Sequence, residues 1–191
     1  EISACLVGSE MCIRDRTYGV TLENLVNGYV PYGNGGTQYK AHLVSKVVQG
    51  AGDLIYENNG DPEEAVSSET AYVMNKLLQD VVNNGTGQKA KLENKHVAGK
   101  TGTTQDWNDL TFVGLTEDFV SGVWLGYKER SELKDHHIKS AQIWYNIIGE
   151  YADSMDTGAE YPENDKVIEG KVCARSGKIA GPNCEATTTG Y

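Results

Sequence analysis

Apolar residues at helical spacing predict three helices along the chain. The clearest spans Val66 to Gly85, where Ser67 or Ser68 can cap the start and the glycine ends it. Its apolar stripe comprises Ala71, Met74, Leu77, Leu78, Val81 and Val82. A shorter helix begins after Thr21, and a last one spans Lys139 to Ala152. The apolar side of the last helix comprises Ile143, Trp144, Ile147 and Ile148.

Short apolar runs between turn residues predict two groups of strands. Ala41–Gln49 and Asp53–Glu57 read as a hairpin, since a Gly-Ala-Gly turn joins them. Three further strands follow the long helix, at His96–Thr104, Leu110–Leu115 and Val120–Tyr127. Their separations are hairpin lengths, so we expect an antiparallel meander. The pattern therefore predicts an α+β fold, with helices flanking an antiparallel sheet of three C-terminal strands.

Composition excludes several classes of function. The formal net charge is -10 and the isoelectric point is about 4.8. A nucleic-acid binder needs clustered lysine and arginine, so we expect no nucleic-acid partner. No apolar run approaches the ~20 residues of a membrane span. No C-x-x-C motif occurs and no cysteine lies near the His136-His137 pair, so we expect neither a metal site nor a cofactor.

The first sixteen residues have a different character from the rest. They show no amphipathic period, and a coherent pattern begins only at Thr17. The run LVGSEMCIRD, from Leu6 to Asp15, matches one reading frame of a sequencing adapter. We therefore predict that residues 1–16 are translated adapter and carry no fold information. The organisation expected is then a domain part at 17–152 and a polar, irregular tail at 153–191.

The run VAGKTGTT, residues 97–104, carries the candidate chemistry. Lys100 supplies a positive charge, Thr101 and Thr103 supply hydroxyls, and Gly102 removes a side chain where another group can approach. This combination suits a carboxylate bound beside a backbone N–H that stabilises an oxyanion. The alternative is a glycine-rich edge strand with an exposed lysine.

The surrounding segments resemble the penicillin-binding protein family. The K-T-G triplet, the preceding GTG, and the following FVG and VWLGY occur in the order typical of bifunctional (class A) members. The resemblance runs from Thr17 to Ala152 and implies the last part of a transpeptidase domain of the serine β-lactamase-like fold. The implied partners are peptidoglycan stem peptides and β-lactams. The implied location is outside the cytoplasm, with a membrane anchor in a missing N-terminal segment.

The resemblance also assigns roles to residues of the motif. Lys100 would hold the substrate carboxylate and take part in proton movement, and Thr101 would bind the same carboxylate. Gly102 would let the substrate lie against the strand. The backbone N–H of Thr103 would form half of the oxyanion hole, so Lys100 and Thr103 are the candidate catalytic residues.

Two motifs of the family are missing. No S-x-N triplet occurs, and the S-x-x-K string from Ser131 to Lys134 follows K-T-G instead of preceding it. We therefore expect this chain to be inactive alone, with its nucleophile outside the chain. A D,D-carboxypeptidase or β-lactamase of the same fold, or a non-catalytic interaction domain, remain alternatives.

Further expectations concern individual side chains. Because the implied location is oxidising, we expect Cys173 and Cys184 to form a disulfide. We expect Trp124 to lie in the core and His96 to pack beside a helix. The resemblance implies that the strand at Val120–Tyr127 is an interior strand of the sheet in the whole domain. In this chain we expect it to be an open edge. A lysine at Val123 should then reduce self-association.

Overall fold

The structure is a computed structural model of the chain. It describes residues 20–50, 52–93, 95–127, 129, 131–135, 137–154, 161–182, 184 and 186–191. The predicted adapter-derived segment, residues 1–16, lies outside these ranges, as does His136. Within the described ranges, no helix is long and apolar enough to cross a membrane.

The N-terminal half consists of short elements followed by one long helix. In chain order these are α1 (Leu22–Asn27), α2 (Val30–Gly33), β1 (Thr37–Gln38), β2 (Lys46–Gln49), β3 (Asp53–Glu57), β4 (Glu63–Glu64) and α3 (Ser68–Asn83). The two predicted caps are confirmed, since the hydroxyl oxygens of Thr21 and Ser67 accept from the backbone N–H groups three residues later. The predicted hairpin is also confirmed, although β2 begins five residues later than expected.

The second half contains the sheet that positions the site. Its strands are β5 (Ala98–Thr103), β6 (Asp109–Leu115) and β7 (Val120–Gly126), paired antiparallel in that order. The predicted meander is confirmed, and β5 begins two residues after the predicted start. Helix α4 (Ser140–Ser154) then packs against β6 and β7. The observed architecture is the expected α+β arrangement of helices around an antiparallel sheet.

Two apolar clusters hold the helices against the sheet. The first joins Phe112 of β6 to Trp144 of α4, whose rings meet edge to face with centroids 5.5 Å apart. The second joins Leu78 of α3 to Val113 and Leu115 of β6 on the other sheet face. The sheet is thus covered by α4 on one face and by α3 on the other. That arrangement holds β5 beside the end of α3.

Not every residue of the predicted apolar stripes is buried. Leu77 of α3 is 53% exposed and Ile147 of α4 is 60% exposed, whereas Leu78 and Trp144 are buried. Polar residues take part of the buried face instead. The Asn75 amide donates to the backbone oxygen of Tyr32 at 2.8 Å, which satisfies a polar group that the periodicity alone would place outside.

The tail is more ordered than the sequence predicted. Strands β8 (Gly170–Cys173) and β9 (Thr187–Gly190) form an antiparallel hairpin, so the expectation of an irregular tail is wrong there. Upstream of the hairpin, Tyr161 is buried in the second cluster. Lys166 pairs with Glu69 at 3.0 Å across the start of α3. The tail is therefore docked on the body through Tyr161 and Lys166.

Candidate functional site

Strand β5 carries all four residues that the sequence singled out. Ala98 and Gly99 are buried, Lys100 to Gly102 are half-buried, and Thr103 is exposed, so the strand runs from the core to the surface. Among the described residues, β5 pairs with β6 on one side and with no strand on the other. The motif therefore lies on a sheet edge that is open to solvent.

The direction of the backbone groups follows from one turn contact. The backbone N–H of Thr104 donates to the backbone carbonyl oxygen of Asp109 at 3.0 Å, so this N–H points toward β6. Because successive residues of a strand direct their backbone N–H groups to opposite sides, the Thr103 N–H points toward the open edge. The Thr101 carbonyl also faces that edge, where the Lys100 ammonium donates to it at 2.8 Å. A charged donor and a backbone N–H thus share one edge of the strand.

Burial changes the proton affinity of the lysine. The Lys100 side chain is half-buried, and this desolvation lowers its pKa below the ordinary value of 10.5. The hydrogen bond to the Thr101 carbonyl holds the ammonium without neutralising it. The site therefore contains a positive charge that releases its proton more readily than a solvated lysine does.

The structure adds a residue that the sequence reasoning missed. The Thr86 hydroxyl oxygen lies 2.8 Å from the Thr101 hydroxyl oxygen. Thr86 belongs to the GTG segment that follows α3, which the sequence analysis used only as a family marker. A threonine between two turn-forming glycines was the available signal. Its position beside the motif became visible only once α3 and β5 were packed together.

Two glycines of the motif are explained by packing. A Cβ at Gly102 would collide with the Oγ1 atom of Thr111, its partner on β6. A Cβ at Gly99 would lie 2.6 Å from the ring of Phe112. Both glycines are therefore required by the neighbouring strand, in addition to any role in admitting a substrate.

The loop after the motif packs against the segment that precedes α4. Asp106 and Trp107 have φ values of 59° and 52°, a left-handed conformation that permits the tight return into β6. The Trp107 ring lies under the Lys139 ammonium, 5.3 Å from the ring centroid, and its carbonyl accepts from the Leu133 N–H at 2.8 Å. Trp107 therefore fastens the loop to the segment before α4.

Two side chains, Trp124 and His96, are more exposed than the sequence predicted. Trp124 is 45% exposed and donates to the Asp109 carboxylate at 3.1 Å, so its expected place in the core is wrong. It lies on the outer strand β7, where one neighbouring strand cannot bury it. His96 precedes β5 and is exposed, so its expected packing beside a helix is wrong. Ser131 and Lys134 are exposed in the loop before α4.

The two tail cysteines are free thiols in the structure, so the predicted disulfide is absent from it. Their side chains are nevertheless neighbours. The Ser176 hydroxyl is the main cause that lowers the pKa of Cys173 to about 6, and the Cys184 thiol donates to the Ala186 carbonyl oxygen at 3.2 Å. The disulfide remains a prediction for the oxidised protein.

The comparisons with known proteins agree on one family. The sequence model of the family described as "Penicillin binding protein transpeptidase domain" matches residues 14–147 of this chain. Penicillin-binding protein 4 of Bacillus subtilis is 34% identical over 134 residues, which cover 69% of this chain and 22% of that protein. Penicillin-binding protein 1A of Clostridium tetani is 30% identical over 193 residues, covering 95% of this chain and 24% of that protein.

A solved structure shows the same fold. Penicillin-binding protein 1A of Haemophilus influenzae superposes with a TM-score of 0.69 at 16% identity, over 89% of this chain and 32% of that chain. The chain therefore belongs to the penicillin-binding protein transpeptidase family. Its relatives include class A members of the 1A type. The chain spans less than a quarter of the length of the two curated relatives.

Proposed function

We propose that this chain is the C-terminal part of a serine D,D-transpeptidase that cross-links peptidoglycan, and that the open edge of β5 is one wall of its active site. The observation that carries the proposal is that this one edge strand presents the Lys100 ammonium, the Thr101 hydroxyl and the outward N–H of Thr103 within four residues. A cation, a hydroxyl and a free backbone donor together suit an acyl substrate that ends in a carboxylate.

The reaction is acyl transfer through a serine ester. A serine hydroxyl from another part of the longer protein attacks the carbonyl carbon between two D-alanine residues. The hydroxyl proton passes to a base, the C–N bond breaks, and the terminal D-alanine leaves with a proton. The amine of a neighbouring stem peptide then attacks the ester carbonyl, loses a proton, and releases the serine.

Each residue of the wall has a defined role in this scheme. The Lys100 ammonium attracts the terminal carboxylate, and its lowered pKa suits it to proton movement near the nucleophile. The Thr101 hydroxyl donates to the same carboxylate. The Thr103 N–H stabilises the charge that develops on the carbonyl oxygen. A β-lactam presents a comparable carboxylate and acyl group, so it binds the same wall.

Thr86 joins this wall through the Thr101 hydroxyl. A hydroxyl that donates to a carboxylate has a lone pair free to accept a second hydrogen bond. At 2.8 Å the Thr86 hydroxyl can give that bond and so orient the Thr101 proton toward the substrate. Thr86 therefore acts as a positioning residue for the carboxylate subsite.

The 191-residue chain by itself should be catalytically inert. It has the K-T-G wall, but its sequence lacks an S-x-N triplet and an S-x-x-K motif upstream of the wall. In the whole protein the domain works outside the cytoplasm, anchored at the membrane. This location follows from the peptidoglycan substrate, which is assembled there.

Covalent labelling by a fluorescent penicillin tests the proposal. The protein encoded by the gene extended upstream of Thr17 should form an adduct that survives denaturation, and the present chain should form none. In the longer protein, Lys100→Ala removes a charged hydrogen-bond donor worth about 1.5–3 kcal/mol, so the acylation rate should fall roughly 10- to 150-fold.

Lys178→Ala is the matched control, because Lys178 is an exposed lysine in the tail. It should leave the acylation rate unchanged. Stable labelling of the present chain would disprove the assignment of the nucleophile to another segment. A folded longer protein that no penicillin labels would disprove the proposed function.

A further inference from the structure

The turn that links β5 to β6, residues 104–109, forms a rim loop that closes on its own first residue. Thr104 uses its backbone N–H, its carbonyl oxygen and its hydroxyl inside this rim loop. The Thr104 N–H donates to the Asp109 oxygen at 3.0 Å, and the Thr104 hydroxyl oxygen accepts from the Asp109 N–H at 2.8 Å. The Thr104 carbonyl oxygen accepts from the Trp107 N–H at 3.2 Å. The rim loop therefore fixes the backbone immediately after Thr103.

The rim loop holds two side chains in a conformation that they rarely adopt. Asp106 and Trp107 have φ values of 59° and 52°, in the left-handed region that favours glycine. A bulky aromatic residue is an outlier there, and such a backbone persists only where the surrounding contacts fix it. One contact comes from within the loop, since the buried Asn108 amide donates to the Gln105 carbonyl oxygen at 3.1 Å. Further contacts come from outside.

The segment before α4 fastens the rim loop from outside. The Lys139 ammonium lies 5.3 Å from the centroid of the Trp107 ring, in a cation–π contact. The Leu133 N–H donates to the Trp107 carbonyl oxygen at 2.8 Å. This segment is itself anchored to the sheet, because the buried Ser140 at the start of α4 donates its hydroxyl proton to the Thr111 backbone oxygen of β6 at 2.9 Å. Trp107 is thus tied to the sheet that carries the motif.

We propose that Trp107 is a positioning residue for the transpeptidase reaction, which keeps the Thr103 N–H aimed at the open edge through the rim loop and the contact with Lys139. The inference rests on the function proposed for the β5 edge. Thr103 is the last residue of β5 and is exposed, so its backbone is held by the pairing with Leu110 and by the rim loop that follows. A strand end that frays lets its N–H rotate away. A fastened rim loop keeps this donor in place before the substrate arrives, as electrostatic stabilisation of an oxyanion requires.

This role predicts which kinetic step changes. Charge develops on the substrate carbonyl oxygen only as the serine attacks, whereas Lys100 and Thr101 bind the carboxylate before that step. Loss of the fastening should therefore lower the acylation rate constant at saturating penicillin and leave the noncovalent affinity unchanged. A purely structural role would instead reduce the fraction of protein that is labelled, or weaken affinity and rate together.

Acylation kinetics of Trp107 variants, in the protein encoded by the gene extended upstream of Thr17, test the proposal. Trp107→Asn removes the ring and suits the left-handed backbone, because asparagine adopts positive φ more readily than most residues. Its acylation rate constant should fall roughly 5- to 50-fold, less than the roughly 100- to 1,000-fold cost of losing a whole oxyanion donor. Trp107→Phe keeps an aromatic face for the ammonium and should retain most of the rate.

The partner on the other side of the contact gives a second test. Lys139→Met keeps a long side chain and removes the charge, so the acylation rate constant should fall roughly 2- to 5-fold. It should have little further effect in the Trp107→Asn background. Lys134→Met, at an exposed lysine of the same segment, and Tyr145→Ala, at an exposed aromatic residue of α4, are the matched controls and should leave the rate constant unchanged.

Hydrogen exchange provides a readout that does not depend on activity. In Trp107→Asn the Thr104 N–H should exchange faster than in the parent, because its bond to Asp109 closes the rim loop. The Val113 N–H, in the middle of the sheet, should exchange at the parental rate. Unchanged exchange at Thr104 would overturn the proposal.

The kinetic outcomes separate this inference from the function on which it rests. If penicillin labels the parent and Trp107→Asn keeps the parental rate constant, the positioning role is wrong and the proposed function stands. Equal losses of affinity and rate constant would also overturn the positioning role. A folded parent that penicillin does not label would remove the proposed function and this inference together.

Discussion

The hydroxyl oxygens of Thr86 and Thr101 lie 2.8 Å apart, although fifteen residues separate them in sequence. The contact joins the loop after α3 to the strand that carries the K-T-G motif. It places a second hydroxyl at the open edge of the sheet, beside the residue proposed to bind the substrate carboxylate. Because Thr86 is exposed and Thr101 is half-buried, the pair lies at the rim of the site.

Replacing Thr86 by valine in the longer protein should slow β-lactam acylation. The substitution keeps the shape of the side chain and removes the hydrogen bond to Thr101. Since a hydrogen bond contributes about 0.5–1.5 kcal/mol, the acylation rate should fall roughly 2- to 12-fold. Stopped-flow or gel-based acylation kinetics measure the change.

A double-mutant cycle separates this role from general destabilisation. If Thr86 acts through Thr101, then Thr86→Val should have little further effect in a Thr101→Val background. Thr189→Val, at an exposed threonine of β9, is the matched control and should leave the rate unchanged. Fully additive losses would show that the two hydroxyls act independently.

Gly102→Ala should lower the free energy of unfolding, independently of any effect on catalysis. The new Cβ would collide with Thr111 on β6, and overpacking of this kind costs about 1–3 kcal/mol. Thr111→Ala should relieve the collision, so the double variant should recover much of the lost stability in urea unfolding. If Gly102→Ala unfolds at the same urea concentration as the parent, packing does not account for the glycine.

Trp124→Lys should reduce self-association of the chain. Strand β7 pairs with β6 alone among the described residues, and Trp124 is 45% exposed on it. An unpaired apolar edge recruits other strands, and a lysine on the edge opposes this. Size-exclusion chromatography over a range of concentrations should show a shift toward monomer. An unchanged elution profile would argue that another surface drives association.

Val123 is a poorer position for that lysine than the strand pattern suggested. The structure packs Val123, partly buried, against the cluster that contains Phe112 and Trp144. A charge at this site would lie against apolar side chains. Val123→Lys should therefore lower the urea midpoint more than Trp124→Lys does, although Trp124→Lys also removes the hydrogen bond to Asp109.

Docking of the tail on α3 should weaken in acid. Glu69 accepts from its own backbone N–H and from Lys166, and these bonds lower its pKa from 4.5 to about 2. Since the folded pKa is the lower one, the carboxylate stabilises the fold fully above about pH 4.5, and the contribution is lost as the pH falls toward 2.

The difference in urea midpoint between the parent and Glu69→Gln measures this contribution. It should be constant at neutral pH and shrink between pH 4.5 and 2. Lys166→Ala should reproduce part of it, and high salt should reduce it because the pair is exposed. A difference that persists unchanged at pH 2 would contradict the assignment.

The sequence by itself determined the three main helices, the β2–β3 hairpin, the three-strand meander and the order in which they occur. Thr21 and Ser67 cap helices, glycine turns separate the strands of the meander, and K-T-G marks the strand of the site. These signals are local, because periodicity, capping and turn chemistry depend on residues a few positions apart. The family was indicated by the resemblance of short motifs, K-T-G and VWLGY among them, to those of known members.

Only the tertiary structure decided which groups meet at the site. The contact of Thr86 with Thr101 and the docking of Tyr161 join residues from separate elements of the chain, and the dependence of Gly102 on Thr111 comes from the register of two paired strands. Such contacts follow from how two helices pack on one sheet, and no local period encodes them.

Packing also decided which apolar side chains are exposed. Leu77 continues the apolar stripe of α3 yet is 53% exposed, because the sheet and the loops it contacts cover only part of that stripe.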